Sequence, residues 1–163
     1  MTSEQRDVFL QRLGGLIREH GWALQYVGGG GGMPWTYTIG LSGHGHRELV
    51  LPVVGYDTAH LVLNTIARAC VDGVDVADAE ALATVFGHPR VFLQLRSVDP
   101  SWHATYMFSV ARAYFGLVPV ASQVVIADKE GRFPWHAGHS MNVAQPVLWE
   151  PYRGGWPNDE EER

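Results

Sequence analysis

One cysteine, Cys70, and one lysine, Lys129, are all that the 163 residues hold of either type, and neither a long apolar run nor a basic stripe is present. A single thiol excludes an intrachain disulfide and fits a reducing compartment. Cys70 falls in the apolar register of a helical segment, where a buried, inert thiol is expected. With a net charge of -5, the chain lacks the electrostatic footprint of a nucleic-acid binder. No apolar stretch is long enough to cross a bilayer. The opening "MTSEQRDVF" has no basic segment leading into an apolar core, so no secretory signal is expected. These absences predict a cytoplasmic protein whose partners include neither nucleic acid nor membrane.

What is present suits a globular domain. Apolar residues make up 46% of the chain and charged residues 18%, enough to bury one core without covalent staples. Thr2 and Gln5 match a capping box, and Val8, Phe9, Leu13, Leu16 and Ile17 follow at helical spacing until Gly21. "WALQYV", Trp22 to Val27, alternates as a strand does. Five glycines, Gly28 to Gly32, come next, but no Gly-Lys-Ser/Thr and no helix follow them. Phosphate-loop readings therefore lose to a flexible hairpin connection that can serve as a flap.

"WTYTIGL" and "ELVLPVV" read as two further strands, joined by a glycine-histidine turn. Asp57 is expected to cap a helix from about Thr58 to Val71, with Leu61, Leu63, Ile66, Ala67 and Cys70 inward. A shorter helix around Ala77 to Phe86 starts from Asp75 or Asp78. "RVFLQLRSV" is a strand. Asp99-Pro100 opens a helix that carries Trp102, Tyr106, Val110 and Ala113 on one stripe and stops at Gly116. "VASQVVIAD" is the last strand, and residues 150–163 read as an acidic, disordered tail. The order implies a single α+β domain over residues 1–149, a largely antiparallel sheet packed with three to four helices.

Three places carry candidate chemistry. His44 and His46 stand at i and i+2 in the turn; if it is extended, both imidazoles reach one face, and His136 and His139 can complete a four-histidine metal site. Turn histidines bonded to backbone or water are the commoner arrangement. In "ADKEGRFPW", Asp128 and Gly131 are good turn chemistry, and Arg132 is read two ways. It suits an anionic or stacking ligand beside Phe133 and Trp135, and it equally suits pairing with Asp128 to hold the loop. Finally, Thr36, Thr38 and Gly40 form a small polar strand face opposite Tyr37 and Ile39, with room for a ligand or for close packing. A serine hydrolase is not expected, because Ser42 sits in Gly40-Leu41-Ser42-Gly43, short of the nucleophile-elbow spacing.

Together "PWTYTIGL", "GHGHRELVL", "VLNTIARA" and "QVVIADKEGRFPW" resemble the domain-of-unknown-function family 4262, a group of small actinobacterial and phage-borne domains. The resemblance runs from about Gly21 to Trp135 and implies a small intracellular α+β domain. Its matching positions include Tyr37, Thr38, Gly40, Leu41, His46, Glu48, Asn64, Gln123, Asp128, Gly131, Arg132 and Trp135. His136 and His139 fall outside that pattern.

The functional expectation is a cleft between the Thr38–Glu48 turn and the Asp128–Trp135 loop that binds a small polar or anionic molecule. His46 and Asp128 would do acid/base or hydrolytic chemistry without a redox cofactor. Arg132, Tyr37, Thr38 and Trp135 would contact the ligand. Two other classes stand beside it. One is a non-catalytic binding or regulatory module that meets a protein partner or a second copy of itself. The other is a metal-dependent enzyme using the four histidines.

Overall fold

A computed structural model describes residues 1–28 and 32–156. Helix α1 (Ser3–His20) begins as its sequence predicts: the Thr2 hydroxyl accepts the Gln5 N–H at 3.1 Å, and the Gln5 side chain accepts the Thr2 N–H at 2.8 Å. Gly21 ends it in the left-handed region at φ 94°, where a glycine pays no Cβ penalty. Strands β1 (Ala23–Val27) and β2 (Trp35–Ile39) pair antiparallel, Ala23 opposite Ile39 and Val27 opposite Trp35. The glycine connection joins this hairpin, although Gly29 to Gly31, and with them the proposed flap, lie outside the described residues.

Strand β3 (Glu48–Pro52) pairs antiparallel with β2. Helices α2 (Tyr56–Val71) and α3 (Ala79–Val85) then carry the chain to β4 (Leu93–Ser97), and α4 (Ser109–Phe115) precedes β5 (Ala121–Ile126). The sheet order is β1-β2-β3-β5-β4. Among the described strands, only β3 and β5 run parallel, Glu48 opposite Ala121 and Val50 opposite Gln123. The result is a single-domain α+β fold: an open, mostly antiparallel five-stranded sheet with four helices.

Alternation along the strands divides the core into two faces. Trp35, Tyr37, Ile39 and Val50 pack under α1, α4 and the chain around Leu148, with Leu13, Met107 and Phe108. Leu49, Leu51, Leu93 and Val124 pack under α2 and α3, against Leu63, Ile66, Cys70 and Leu82. Each such fully buried aliphatic side chain contributes about 1.5–3 kcal/mol. The β1 alternation read from sequence holds, since Trp22 and Leu24 join the second face and Ala23 and Val27 the first.

Three expectations are corrected. Helix α2 begins two residues earlier than expected, with Gly55 at its N-cap and Asp57 inside its first turn, and Leu61 is 68% exposed rather than inward. The apolar arc of α2 is therefore narrower than its hydrophobic residues suggest. The long helix after Asp99 is broken at Thr105, which is extended at ψ 179°. Its hydroxyl donates to the Trp102 carbonyl at 2.6 Å and accepts the Met107 N–H at 3.3 Å, so a side chain supplies what helix continuation would have. Two short 3-10 turns, Pro100–Ala104 and Tyr106–Phe108, replace that part of the helix and bury Met107 and Phe108.

Within the expected tail, the described residues up to Trp156 pack onto the core. Tyr152 packs edge-on against Trp102 at 4.9 Å, and Trp156 against Trp35 at 5.1 Å. The Trp156 indole N–H donates to the Met33 carbonyl at 3.0 Å. Residues 157–163, the rest of the expected tail, lie outside the described residues.

Candidate functional site

The turn between β2 and β3 is built around one buried carboxylate. Glu48 Oε1 accepts the Thr38 hydroxyl at 2.8 Å and the Leu41 N–H at 3.0 Å. Its Oε2 accepts the Gly40 N–H at 3.1 Å, the Ser42 N–H at 3.0 Å and the Ser42 hydroxyl at 2.7 Å. Gly40 lies at φ 126°, and a Cβ there would come within 3.0 Å of the Gly21 carbonyl oxygen and the Trp22 Cα. Only glycine admits both that conformation and that approach. Thr38 and Glu48 are thus spent on holding the turn.

Tyr37, expected to flank a ligand, is a core residue on the other face. Its hydroxyl accepts the Val110 N–H at 3.1 Å, and burial pushes the phenol well above its usual range against the opposing pull of the Ala111 and Val110 backbone. His44 makes a 3.0 Å contact from Nε2 to the Gly21 carbonyl. The turn is a 3-10 helix over Leu41–His44, not an extended segment. The premise for two imidazoles on one face therefore fails.

His46 differs from these. It lines a cavity of about 500 Å³ between the sheet and the end of α2. Leu49, Leu95, Ser97 and Ser122 rise from the strands as its floor, and Val74 and Val76 on the connection from α2 to α3 form a wall. Arg47 and Asp75 stand on its walls. The Arg47 guanidinium donates from Nε to the Ser122 hydroxyl at 3.0 Å and from Nη2 to the Ala121 carbonyl at 3.1 Å. Cys70 also lines the cavity, and burial pushes its thiol up to about 11, which disfavours it as a nucleophile.

Burial first, then Arg112 and Arg47, press the His103 imidazole below the usual histidine range. Its Nε2 has no hydrogen-bond partner among the described residues.

The Asp128 loop is a second self-contained turn. Asp128 Oδ1 accepts the Glu130 and Arg132 N–H groups, both at 2.9 Å, and Oδ2 accepts the Ser140 N–H at 3.0 Å and Arg132 Nε at 3.3 Å. Burial raises its pKa, but these donors outweigh it and hold the carboxyl down to about 2. Arg132 thus takes the structural of its two readings. Phe133 and Trp135 stack at 5.1 Å, and the Arg96 guanidinium lies 3.8 Å over the Trp135 ring. His136 Nδ1 accepts the Phe133 N–H at 3.0 Å, and His139 Nε2 is buried without a partner among the described residues.

These two turns do not face each other. His46 stands just before β3, whose first residue pairs with Ala121, whereas Asp128 follows the far end of β5. At about 3.3 Å per residue, the stretch from Ala121 to Asp128 separates them by roughly 20 Å. The expected cleft joining His46, Asp128, Arg132 and Trp135 is not formed, because parallel pairing of β3 and β5 puts the start of one strand far from the end of the other. For the same reason His44 and His46 lie at the opposite end of the sheet from His136 and His139. No group of three or more metal-ligating side chains occurs among the described residues.

Arg47, Asp75, Ser97 and Ser122 were not among the residues singled out from sequence. Arg47 adjoins His46 in the quoted "GHGHRELVL" and carried a signal by position. Asp75 was read only as a possible helix cap and the two serines carried no signal, since a loop aspartate and strand serines are ordinary in a domain of this kind.

The fold and its two carboxylate-tied turns define a small α+β domain with a cavity at the amino ends of its one parallel strand pair. The family model for a domain of unknown function, DUF4262, matches residues 16–140, and the chain belongs to that family. The match spans all five strands, both tied turns and every residue of the cavity. No curated protein and no solved structure matches the chain. Among the described residues, no helix is long and apolar enough to cross a membrane.

Proposed function

We propose that this domain binds a small polar or anionic molecule in the cavity under His46 and Arg47. The observation that carries the reading is Arg47 itself. Its guanidinium is oriented by Ser122 and the Ala121 carbonyl and makes no ion pair among the described residues. A positioned cation beside an apolar floor of Leu49 and Leu95 is the usual composition of a small-molecule site, mostly greasy with few directed polar groups. His46 supplies an imidazole able to take or give a proton to whatever Arg47 holds, so acid/base or hydrolytic chemistry without a redox cofactor belongs to this reading. Asp128, Arg132 and Trp135 lie outside it.

The test is NMR titration of the full chain with inorganic phosphate and small carboxylates. Resonances of His46, Arg47 and Ser122 should shift saturably, and Arg47→Ala should remove the response while Arg132→Ala leaves it. Equal loss in both variants, or no shift at these residues, overturns the assignment.

A non-catalytic module is the second reading. It rests on α1, where Val8 is 50% and Leu16 43% exposed, a face suited to a protein partner or a second copy of the chain. Concentration-dependent sedimentation that Val8→Glu abolishes would favour it.

A further inference from the structure

We infer that the cavity under His46 and Arg47 takes a zwitterion with a compact aliphatic body, the chemistry of a free α-amino acid, because Arg47 and Asp75 line it without pairing with each other. The inference rests on the ligand-binding reading of that cavity and narrows it to one class of molecule.

The two charges are anchored separately. Arg47 is tied to the sheet through Ser122 and Ala121. Asp75 belongs to the turn after α2, where Gly73 adopts φ 92° and the Val74 N–H returns to the Ala69 carbonyl at 2.9 Å. Its Oδ1 accepts the Ala77 N–H at 3.2 Å and its carbonyl the Asp78 N–H at 3.2 Å, which leaves Oδ2 uncommitted among the described residues. No ion pair joins Arg47 to Asp75, although both line the same space.

A guanidinium and a carboxylate that line one cavity without pairing discriminate among ligands by charge. A simple anion satisfies Arg47 but brings like charge toward Asp75. A simple cation does the reverse, and such mismatches cost affinity. A molecule with a carboxylate and an ammonium on neighbouring atoms answers both, its carboxylate taking the planar guanidinium fork. Beneath the charges, Leu49, Leu95, Val74 and Val76 offer an apolar surface, which suits an aliphatic side chain over a charged one. The Ser97 and Ser122 hydroxyls, paired in register on β4 and β5, add polar groups at the floor. A volume of about 500 Å³ admits such a molecule with water to spare.

The experiment titrates the full chain with L-leucine, N-acetyl-L-leucine, L-leucinamide and inorganic phosphate, followed by NMR and calorimetry. Leucine should bind at least about tenfold tighter than either blocked form, the size of one lost charge contact. Asp75→Asn should erase the preference for leucine over N-acetylleucine, and Arg47→Gln should weaken both. Asp75 is exposed, so the Asp75→Asn chain is expected to fold, which circular dichroism checks. If N-acetylleucine or phosphate binds at this cavity as well as leucine does, the zwitterion inference is overturned and the anionic reading stands. If none of the four probes shifts cavity resonances, both fall together.

Discussion

The Thr38 hydroxyl donates to the Glu48 carboxylate at 2.8 Å while its oxygen accepts the Leu49 N–H, also at 2.8 Å. This one side chain ties the end of β2 to the start of β3 and sets where the cavity-lining turn begins. Glu48→Gln puts an amide N–H₂ among groups that are all donors. The expected loss is about 2–4 kcal/mol, combining weakened charged hydrogen bonds with buried donors left unpaired. Urea unfolding measures it, and a change below about 1 kcal/mol would mean the turn holds without the carboxylate.

The Asp128 turn should be the acid-sensitive point of the fold. Its carboxyl is held down to about 2 in the folded chain, below the ~3.9 of an unfolded aspartate. A depressed folded pKa gives stability that is complete above the unfolded value and lost as pH falls through the folded one. Melting temperature should therefore drop between about pH 4 and pH 2, and Asp128→Asn should flatten that part of the curve while lowering stability at pH 7. An unchanged acid limb in the variant would assign the transition to other carboxylates.

The strap after β5 closes one face of the core. Gln123, fully buried, donates to the Pro146 carbonyl at 2.8 Å and accepts the Leu148 N–H at 3.0 Å. Gln145 exchanges two 2.7 Å bonds with the Ile126 backbone. Beyond them, Tyr152 and Trp156 cover Trp102 and Trp35. A chain ending at residue 149 should lose about 3 kcal/mol or more, the scale of removing packed aromatic groups from a core. A urea midpoint equal to that of the whole chain would show that this cover contributes nothing.

Val53 carries the one positive φ, 78°, among non-glycine residues described. For a β-branched residue that conformation costs on the order of 1–3 kcal/mol. Val53→Gly relieves it, and should fall within about 1 kcal/mol of wild type once glycine's chain-entropy cost is included. Val54→Gly, at a half-buried neighbour packed under α2, should cost clearly more. Thermal unfolding of the pair compares them, and the reverse order would show that Val53 is not strained.

Local signals in the sequence carried far. The Thr2–Gln5 capping box, the β1 alternation, the Asp78 cap and the Asp99 cap with Pro100 behind it all form as expected, because each is decided by residues within a few positions of one another. Where a side chain competes with backbone bonding, the local pattern misleads. Thr105 breaks a helix whose apolar stripe continues straight through it, and Leu61 reads as core although it lies on the exposed side of α2.

The site was legible only in pieces. Residue type marked His46, Asp128 and Arg132 as groups capable of chemistry, and turn chemistry correctly offered the Asp128–Arg132 pairing as an alternative. Which of them share a space depends on strand order and direction, and no local signal encodes that β3 and β5 lie side by side and parallel. That single long-range pairing sends the Asp128 loop to one end of the sheet and His46 to the other. It also brings Ser122 beneath Arg47 and sets Asp75 on the wall of the same cavity. The sequence by itself determined the strands, most of the helices and their order, and offered the Asp128 turn as one of two readings, since short-range hydrogen bonding and hydrophobic period suffice for those. The composition of the cavity was decided only when burial of both sheet faces selected one pairing of distant strands.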